Sequence, residues 1–374
     1  MKEIPLTKPY FDNDEIKEIK DVLDSGWVTQ GPKVKEFEEG VARKIRSKHA
    51  IAVTNCTAAL HLALLCSGVS SGDEVLVADY TFPATGHAVL YCGAKPIFVD
   101  IDPDSYNINP EKIEALITDR TRAIIPVHTF GQPARMDEIL KIARNHSLSV
   151  IEDAACALGA QYKGKYAGAI GDIGCFSFHA RKGITTGEGG MLVTNNDEIA
   201  AKARHLSMFG MKSAWEREGK ARFSVPEFID VGYNYKMSDI TAAVGVAQLR
   251  RLDQIIDRKR TLAQHWDTRL DEIEGIDKPY IDPDTISIYQ SYVALLNPTI
   301  DRNKMIQDLL SRGIQTQIGT YASHMQPVYH APQTCPCSQD VFHRAISLPM
   351  YFTLQETVID EVAETIQQTI GGYK

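Results

Sequence analysis

The chain is predicted to be an α/β protein: a large domain with a mostly parallel seven-stranded sheet flanked by helices, then a smaller C-terminal α+β domain. Three observations predict it. Between residues 50 and 195, short β-branched runs alternate with helical stretches, the pattern of a parallel sheet covered on both faces. A long charged helix at 252–272 ends the alternation, and a mixture of helix and strand follows it. The 374 residues suffice to bury one large and one smaller core. The expected division is 1–250 and 251–374.

In chain order, an extended arm (Ile4 to Tyr10) precedes a helix from Asp14 to Ser25, where Ile16, Ile19, Val22 and Leu23 recur at helical spacing. Asn13 is its expected cap, with acids at Asp14 and Glu15 in the first turn. Gly26–Pro32 is a turn-rich loop. Strands are expected at Ile51–Val53, Glu74–Ala78, Lys95–Val99, Ala123–Val127, Ser149–Glu152, Ile173–Phe178 and Gly190–Thr194, with helices such as Arg135–Asn145 between most of them. A helix at Glu198–Phe209 leads to a polar segment, 211–228, and then to an Ala-rich helix, Thr241–Leu249. Beyond the charged helix come a strand at Gln290–Leu296, a helix at Arg302–Arg312, a strand near Gln315–Ile318 and a last helix, Leu354–Ile370.

Composition narrows the function classes. Net charge is −8, so no basic footprint argues for nucleic acid. No apolar run approaches the ~18 residues of a membrane span, and the charged start Met1-Lys-Glu-Ile-Pro does not read as a signal peptide. Seven scattered cysteines, an odd number without a disulfide-like frame, suit a reducing cytoplasm. His330, Cys335, Cys337 and His343 lie close together, but their spacing is not that of a zinc site, and no metal is expected.

Three segments carry chemistry. Lys182 follows a short apolar strand and precedes the glycine-dense turn Thr186-Gly-Glu-Gly-Gly190. An amine among small and apolar residues loses its proton cheaply and can then form a Schiff base with an aldehyde. Asp153 ends the run Leu148-Ser-Val-Ile-Glu-Asp153, and a carboxylate at the carboxyl end of a parallel strand is where open sheets place ligand groups. Alternation from Ile151 turns Glu152 and Asp153 to opposite faces and favours Asp153. The unit Ala50 to Leu65 reads as strand, small polar turn and helix; Thr57 sits at the helix start, where free N–H groups and the dipole suit a phosphate. A surface lysine, a helix-capping acid and an ordinary helix cap are the plain alternatives for each alone. Together the three match what pyridoxal phosphate (PLP) needs: an amine for its aldehyde, an anion beside its pyridinium and donors for its phosphate.

The ordered motifs extend this. Val22-Leu-Asp-Ser-Gly-Trp-Val-Thr-Gln-Gly-Pro32, Thr57-Ala-Ala-Leu, Tyr80-Thr-Phe-Pro-Ala-Thr85, Pro126-Val-His-Thr-Phe-Gly131, Glu152-Asp-Ala-Ala, Ser177-Phe-His-Ala-Arg-Lys182, Gly232-Tyr-Asn-Tyr-Lys-Met-Ser-Asp239 and Gly319 to Tyr329 span nearly the whole chain. In this order and spacing they resemble the nucleotide-sugar aminotransferases of the DegT/DnrJ/StrS type, a branch of the fold-type I PLP enzymes. The resemblance implies PLP as cofactor, Lys182 as its Schiff-base lysine and proton shuttle, and Asp153 against the pyridinium. Phe82 would stack on the ring. Thr57, the Ala58 N–H and Ser177 would hold the phosphate, completed by Asn234 of a partner subunit, so that the active form is a homodimer. Cys156 stands near the ring where the family usually has glutamine, Cys56 where glycine is common, and Lys236 where arginine is frequent.

The implied reaction moves an amino group from L-glutamate to a nucleotide-linked keto sugar, a 4-keto-6-deoxyhexose first among the acceptors. A cyclitol ketone, or a non-enzymatic regulator on the same fold, is the alternative; relatives that dehydrate sugars carry histidine where Lys182 stands. Trp27, Tyr321 and His324 are candidate substrate contacts, with acceptor choice expected from the Gly26–Pro32 loop, segment 211–228 and Tyr321–Tyr329.

Overall fold

The computed structural model describes residues 3–211 and 225–373, so most of the polar segment expected at 211–228 lies outside the described residues. Its centre is a seven-stranded sheet in the order His49–Val53, Gly190–Thr194, Ile173–Ser177, Ser149–Asp153, Thr121–Ile125, Glu74–Ala78, Lys95–Val99. Six strands run in one direction. Gly190–Thr194 is antiparallel to both of its neighbours. The reason is its connection: residues 178–189 contain no helix to carry the chain across the sheet, so the strand returns beside the one before it.

Alternating side chains build a core on each face of the sheet. On one face Ile51, Val53, Val75, Val77, Ile125, Ile151 and Leu192 pack under the helix Cys56–Cys66. That helix is apolar nearly all round because it is enclosed on every side, Ala58 through Leu64 being buried. On the other face Ala50, Ala52, Phe176, Met191 and Val193 meet the helices Pro32–Ile45 and Asp239–Arg250, while Leu76, Ile124 and Val150 meet Met136–His146.

The first helix, Asn13–Ser25, begins one residue earlier than its sequence signal. Asp12, not Asn13, is the cap: its side chain accepts from the Asp14 N–H (2.8 Å), and Glu15 reaches back to the Asp12 N–H (2.8 Å). Asp12 prevails because this reciprocal box needs an acid three residues on, and Glu15 supplies it.

The helix Leu252–Leu270 leads to an antiparallel four-stranded sheet: Ile276–Asp277, Tyr292–Leu296, Ala345–Leu348 and Gln317–Ile318. Its core gathers Leu262, Trp266, Tyr292, Leu296 and Ile366. Ile4 from the amino-terminal arm joins this core, its backbone bonded to Gly313 and Gln315 (both 2.9 Å).

Two links bring the C-terminal body over the carboxyl edge of the large sheet. Tyr321–Ala322 pairs with Tyr80–Thr81, and His324 Nδ1 meets Asp79 Oδ2 at 2.7 Å. Among the described residues, no helix is long and apolar enough to cross a membrane.

Candidate active site

The carboxyl ends of the parallel strands place Asn55, Asp153 and Ser177 on one edge, with the 178–189 connection passing over them. That connection is held by its own backbone: Phe178 N–H donates to Gly189, and Thr186 N–H to Phe178 (2.9 Å each).

Lys182, half-buried, directs Nζ to Cys156 Sγ at 3.1 Å. Its surroundings are not the apolar ones expected. Burial disfavours the ammonium, but Cys156, Asp153 and Cys56 face it, and together they lift its pKa above the ordinary lysine value. Two thiols and a carboxylate from other elements face the amine.

Asp153 is 5% exposed. Its oxygens accept from Thr85 Oγ1 (2.8 Å) and the Ala155 N–H (3.1 Å), and Thr81 bonds Thr85 in turn (2.9 Å). Burial pushes its pKa up, against the pull of these bonds and of Lys182. Such a carboxylate gains from a cation placed against it.

Glu152 turns to the opposite face, where Gly168, Ile170 and Gly171 N–H groups (2.7, 2.7 and 2.6 Å) and His128 Nε2 (2.8 Å) surround it. It ties down a loop and takes no part in the edge chemistry. Glu152→Ala, which strands these donors without an acceptor, is expected to cost about 3–5 kcal/mol of stability. Urea unfolding checks this; a loss below about 1 kcal/mol would contradict the assignment.

The helix Cys56–Cys66 opens with Asn55 as cap. Asn55 Oδ1 accepts the Ala58 N–H (2.9 Å), so that N–H serves the cap rather than facing outward as expected. Cys56 and Thr57 occupy the first two helical positions, whose N–H groups have no partner within a helix. Gly190 packs against this turn so closely that a Cβ would overlap the Asn55–Cys56 peptide. Ser177 lies at the end of the adjoining strand and accepts the His179 N–H (3.3 Å).

Phe82 is 64% exposed, its ring edge-on to Tyr321 with centroids 6.2 Å apart. An aromatic left so open beside buried polar groups offers a face for stacking. His324, offered as a substrate contact, is instead engaged by Asp79 through both its ring and its N–H (2.6 Å) and anchors the C-terminal body. Trp27 packs within its own loop, donating Nε1–H to Gln30 O (3.0 Å), and is absent from the cleft beside Phe82. Asp239 sets that loop by accepting from Gly31, Lys33 and Val34 (2.8, 3.1 and 2.9 Å). Cys335 comes within 4.8 Å of the Asp79 and His324 ligand atoms, while Cys337 lies by Lys112 and Asp100.

Asn234 lies outside this edge. Residues 208–211 bridge to 228–234, and on this exposed pair Asn234 bonds Lys236. Tyr235, between them in sequence, turns inward to His61 (3.1 Å). Phe209, Phe228, Ile229 and Val231 on the same pair are exposed.

Sequence reasoning missed two supports. Lys259 is buried behind Lys182, donates to Gln290 O (3.0 Å), and has its pKa pushed down to about 8 by burial. Its signal was its place on the apolar stripe Ile255, Lys259, Leu262, Trp266. Gln290 grips the Arg181 carbonyl (2.7 Å), 109 residues away in sequence, and no local pattern announces that.

A sequence model of the DegT/DnrJ/EryC1/StrS aminotransferase family matches residues 9–367. The chain belongs to this family. It is 38% identical over 373 residues to the GDP-perosamine synthase of Caulobacter vibrioides, covering 98% of each chain. Among solved structures it is similar to a protein of Streptococcus pneumoniae assigned as a sugar aminotransferase, in its PLP form (26% identity, TM-score 0.93, all of both chains). It is also similar to DesI in the presence of its TDP-sugar product (31% identity, TM-score 0.90, 98% of this chain and 93% of that one). The protein is a PLP-dependent aminotransferase.

The residues present fit the cofactor. A buried carboxylate, an amine, two leading helix N–H groups beside a glycine that admits no side chain, and an open aromatic face lie along one edge.

Proposed function

We propose that the protein transfers the amino group of L-glutamate to a nucleotide-linked keto sugar, with a 4-keto-6-deoxyhexose as the first acceptor to test. The observation that carries this reading is near-complete alignment with GDP-perosamine synthase and with DesI, solved in the presence of its TDP-sugar product, together with a lysine, rather than a histidine, at position 182.

Bound PLP supplies an aldehyde to carry the amino group and a ring to take up electrons. In this reading Asp153 holds the ring nitrogen protonated, and Thr85 keeps that carboxylate oriented. Phe82 covers one ring face and excludes water. The Cys56 and Thr57 N–H groups, the Thr57 hydroxyl and Ser177 bind the phosphate. Lys182 Nζ would take the proton from the substrate carbon and deliver it to the cofactor carbon that brought the aldehyde, with the reverse transfer serving the acceptor. Cys156 lies against that nitrogen and biases it toward the protonated form. Two half-reactions, donor in and acceptor out, use the same base.

Asn234 is assigned to the partner subunit's phosphate site in a homodimer. Its support is the exposed apolar strip on the same strand pair, the kind of surface a second chain covers. Asn234→Ala is expected to weaken PLP retention about tenfold with the dimer intact, for loss of one hydrogen bond to a charged group. Cofactor affinity by fluorescence titration, alongside sedimentation, checks this; unchanged affinity counts against a cross-subunit site.

The function itself is tested by loading the enzyme with L-glutamate, removing excess donor and adding nucleotide-linked keto sugars, with mass spectrometry of the products. An aminated nucleotide sugar supports the reading. Amination of a cyclitol ketone alone would replace it.

A further inference from the structure

Among the described residues, the cleft beside Phe82 holds a single charged one. Its walls include Phe82, Ser291, Gln317, Thr320 and Tyr321, and the charge is Arg181. No aspartate or glutamate is among the lining residues. Arg181 is exposed, and its guanidinium has no hydrogen bond or ion pair among the described residues. An arginine that pairs with no acid among the described residues is available to an anion from outside. Its backbone is fixed, with the N–H on His179 Nδ1 (3.2 Å) and the carbonyl gripped by Gln290 (2.7 Å).

The geometry points to a carboxylate subsite centred on Arg181 that receives the carboxylate of the amino donor. Guanidinium presents a planar fork that matches a carboxylate in two parallel bonds, and the serine, glutamine and threonine hydrogen-bonding groups around it suit the same ligand. Size favours the donor over the acceptor. The cleft measures about 150 Å³, well below the ~300–1,000 Å³ of sites for larger ligands. Position favours it too, since Phe82, proposed to cover the cofactor ring, lines the same cleft as Arg181. This rests on the aminotransferase reading above and adds the residue that selects an acidic donor.

The test uses holoenzyme, Arg181→Gln and Arg181→Lys. Titrated with L-glutamate and followed by loss of the cofactor's visible band, Arg181→Gln is expected to need about 10- to 100-fold more donor at a nearly unchanged limiting rate. Arg181→Lys should recover part of the loss. An unchanged half-saturation, or a lost limiting rate at the same half-saturation, overturns the subsite. Calorimetry with glutarate, a dicarboxylate with no amine to give, separates this from the choice of donor. Glutarate binding that disappears in Arg181→Gln supports the subsite even where glutamate proves not to be the donor. Equal binding to both proteins, or none to the wild type, overturns it. Displacement of glutarate by glucuronate at comparable concentration would give the carboxylate to an acidic sugar and overturn the donor assignment.

Discussion

Lys182→Ala is expected to lose turnover by on the order of 10⁴-fold or more while keeping its fold. Both halves follow from the same contacts. Among the described residues the Nζ has one hydrogen-bond partner, Cys156 Sγ, so the side chain does not hold the loop. The loop is held by backbone bonds from Lys182 N–H to His179 O (2.9 Å) and around Phe178, and by Gln290 on the Arg181 carbonyl (2.7 Å). Alanine leaves all of these in place; the ammonium it removes is favoured by Cys156, Asp153 and Cys56 against the cost of burial, so only a modest loss of stability accompanies it. What it removes from catalysis has no substitute: Lys259, also buried, is committed to Gln290 O. Turnover and the visible spectrum check the first half, and thermal unfolding the second. Full turnover in the variant would end the mechanism proposed here; an unfolded variant would show that the lysine is structural.

The fold was legible because its signals are local. Glu74–Ala78, Lys95–Val99 and Gly190–Thr194 have the limits that their β-branched runs define. Thr121–Ile125 lies two residues earlier than its apolar stretch, because Thr121 pairs with Glu74 and Arg122 is the extra residue of a bulge before Ala123, although neither reads as core. The antiparallel return of Gly190–Thr194 was not read from the sequence; it follows from a connection without a helix, which only the pairing reveals. Asp153 could be separated from Glu152 because period two is a backbone property. Ala58 could not be separated from its neighbours, since whether an N–H faces a ligand or a cap depends on the rotamer of Asn55. His324 and Asp79 lie 245 residues apart, and their pairing is a fact of how the two bodies dock. The apolar look of the Lys182 segment misled for a similar reason: Cys56 and Cys156 reach the amine from other elements.

Asp153→Asn is expected to separate activity from stability. In the holoenzyme the loss should be on the order of 10²–10³ in kcat/KM, the scale for removing one preorganised charge-stabilising group. Amide cannot offset the charge of a protonated ring nitrogen, although its oxygen can still accept from the Ala155 N–H while its NH2 donates to Thr85 Oγ1, whose hydroxyl can turn to Thr81 or Phe82 O. In cofactor-stripped protein the sign reverses. Burial raises the folded pKa of Asp153 above that of the unfolded chain. Between those two values the folded state holds a proton that the unfolded state has released. Stability therefore falls as pH rises through the window, and the full deficit is reached once pH exceeds the folded value. Asparagine carries no such penalty, so the stripped variant should be at least as stable as the stripped parent at neutral pH and should lose this part of the pH dependence. Urea unfolding of both proteins across the acidic range, paired with steady-state kinetics at neutral pH, measures the two effects separately. A variant that is inactive and also much less stable when stripped would make Asp153 a structural carboxylate. One that stays active would remove it from the ring nitrogen. The expected pair, poor catalysis on a sound fold, is what a group kept for its ligand at the protein's expense should show.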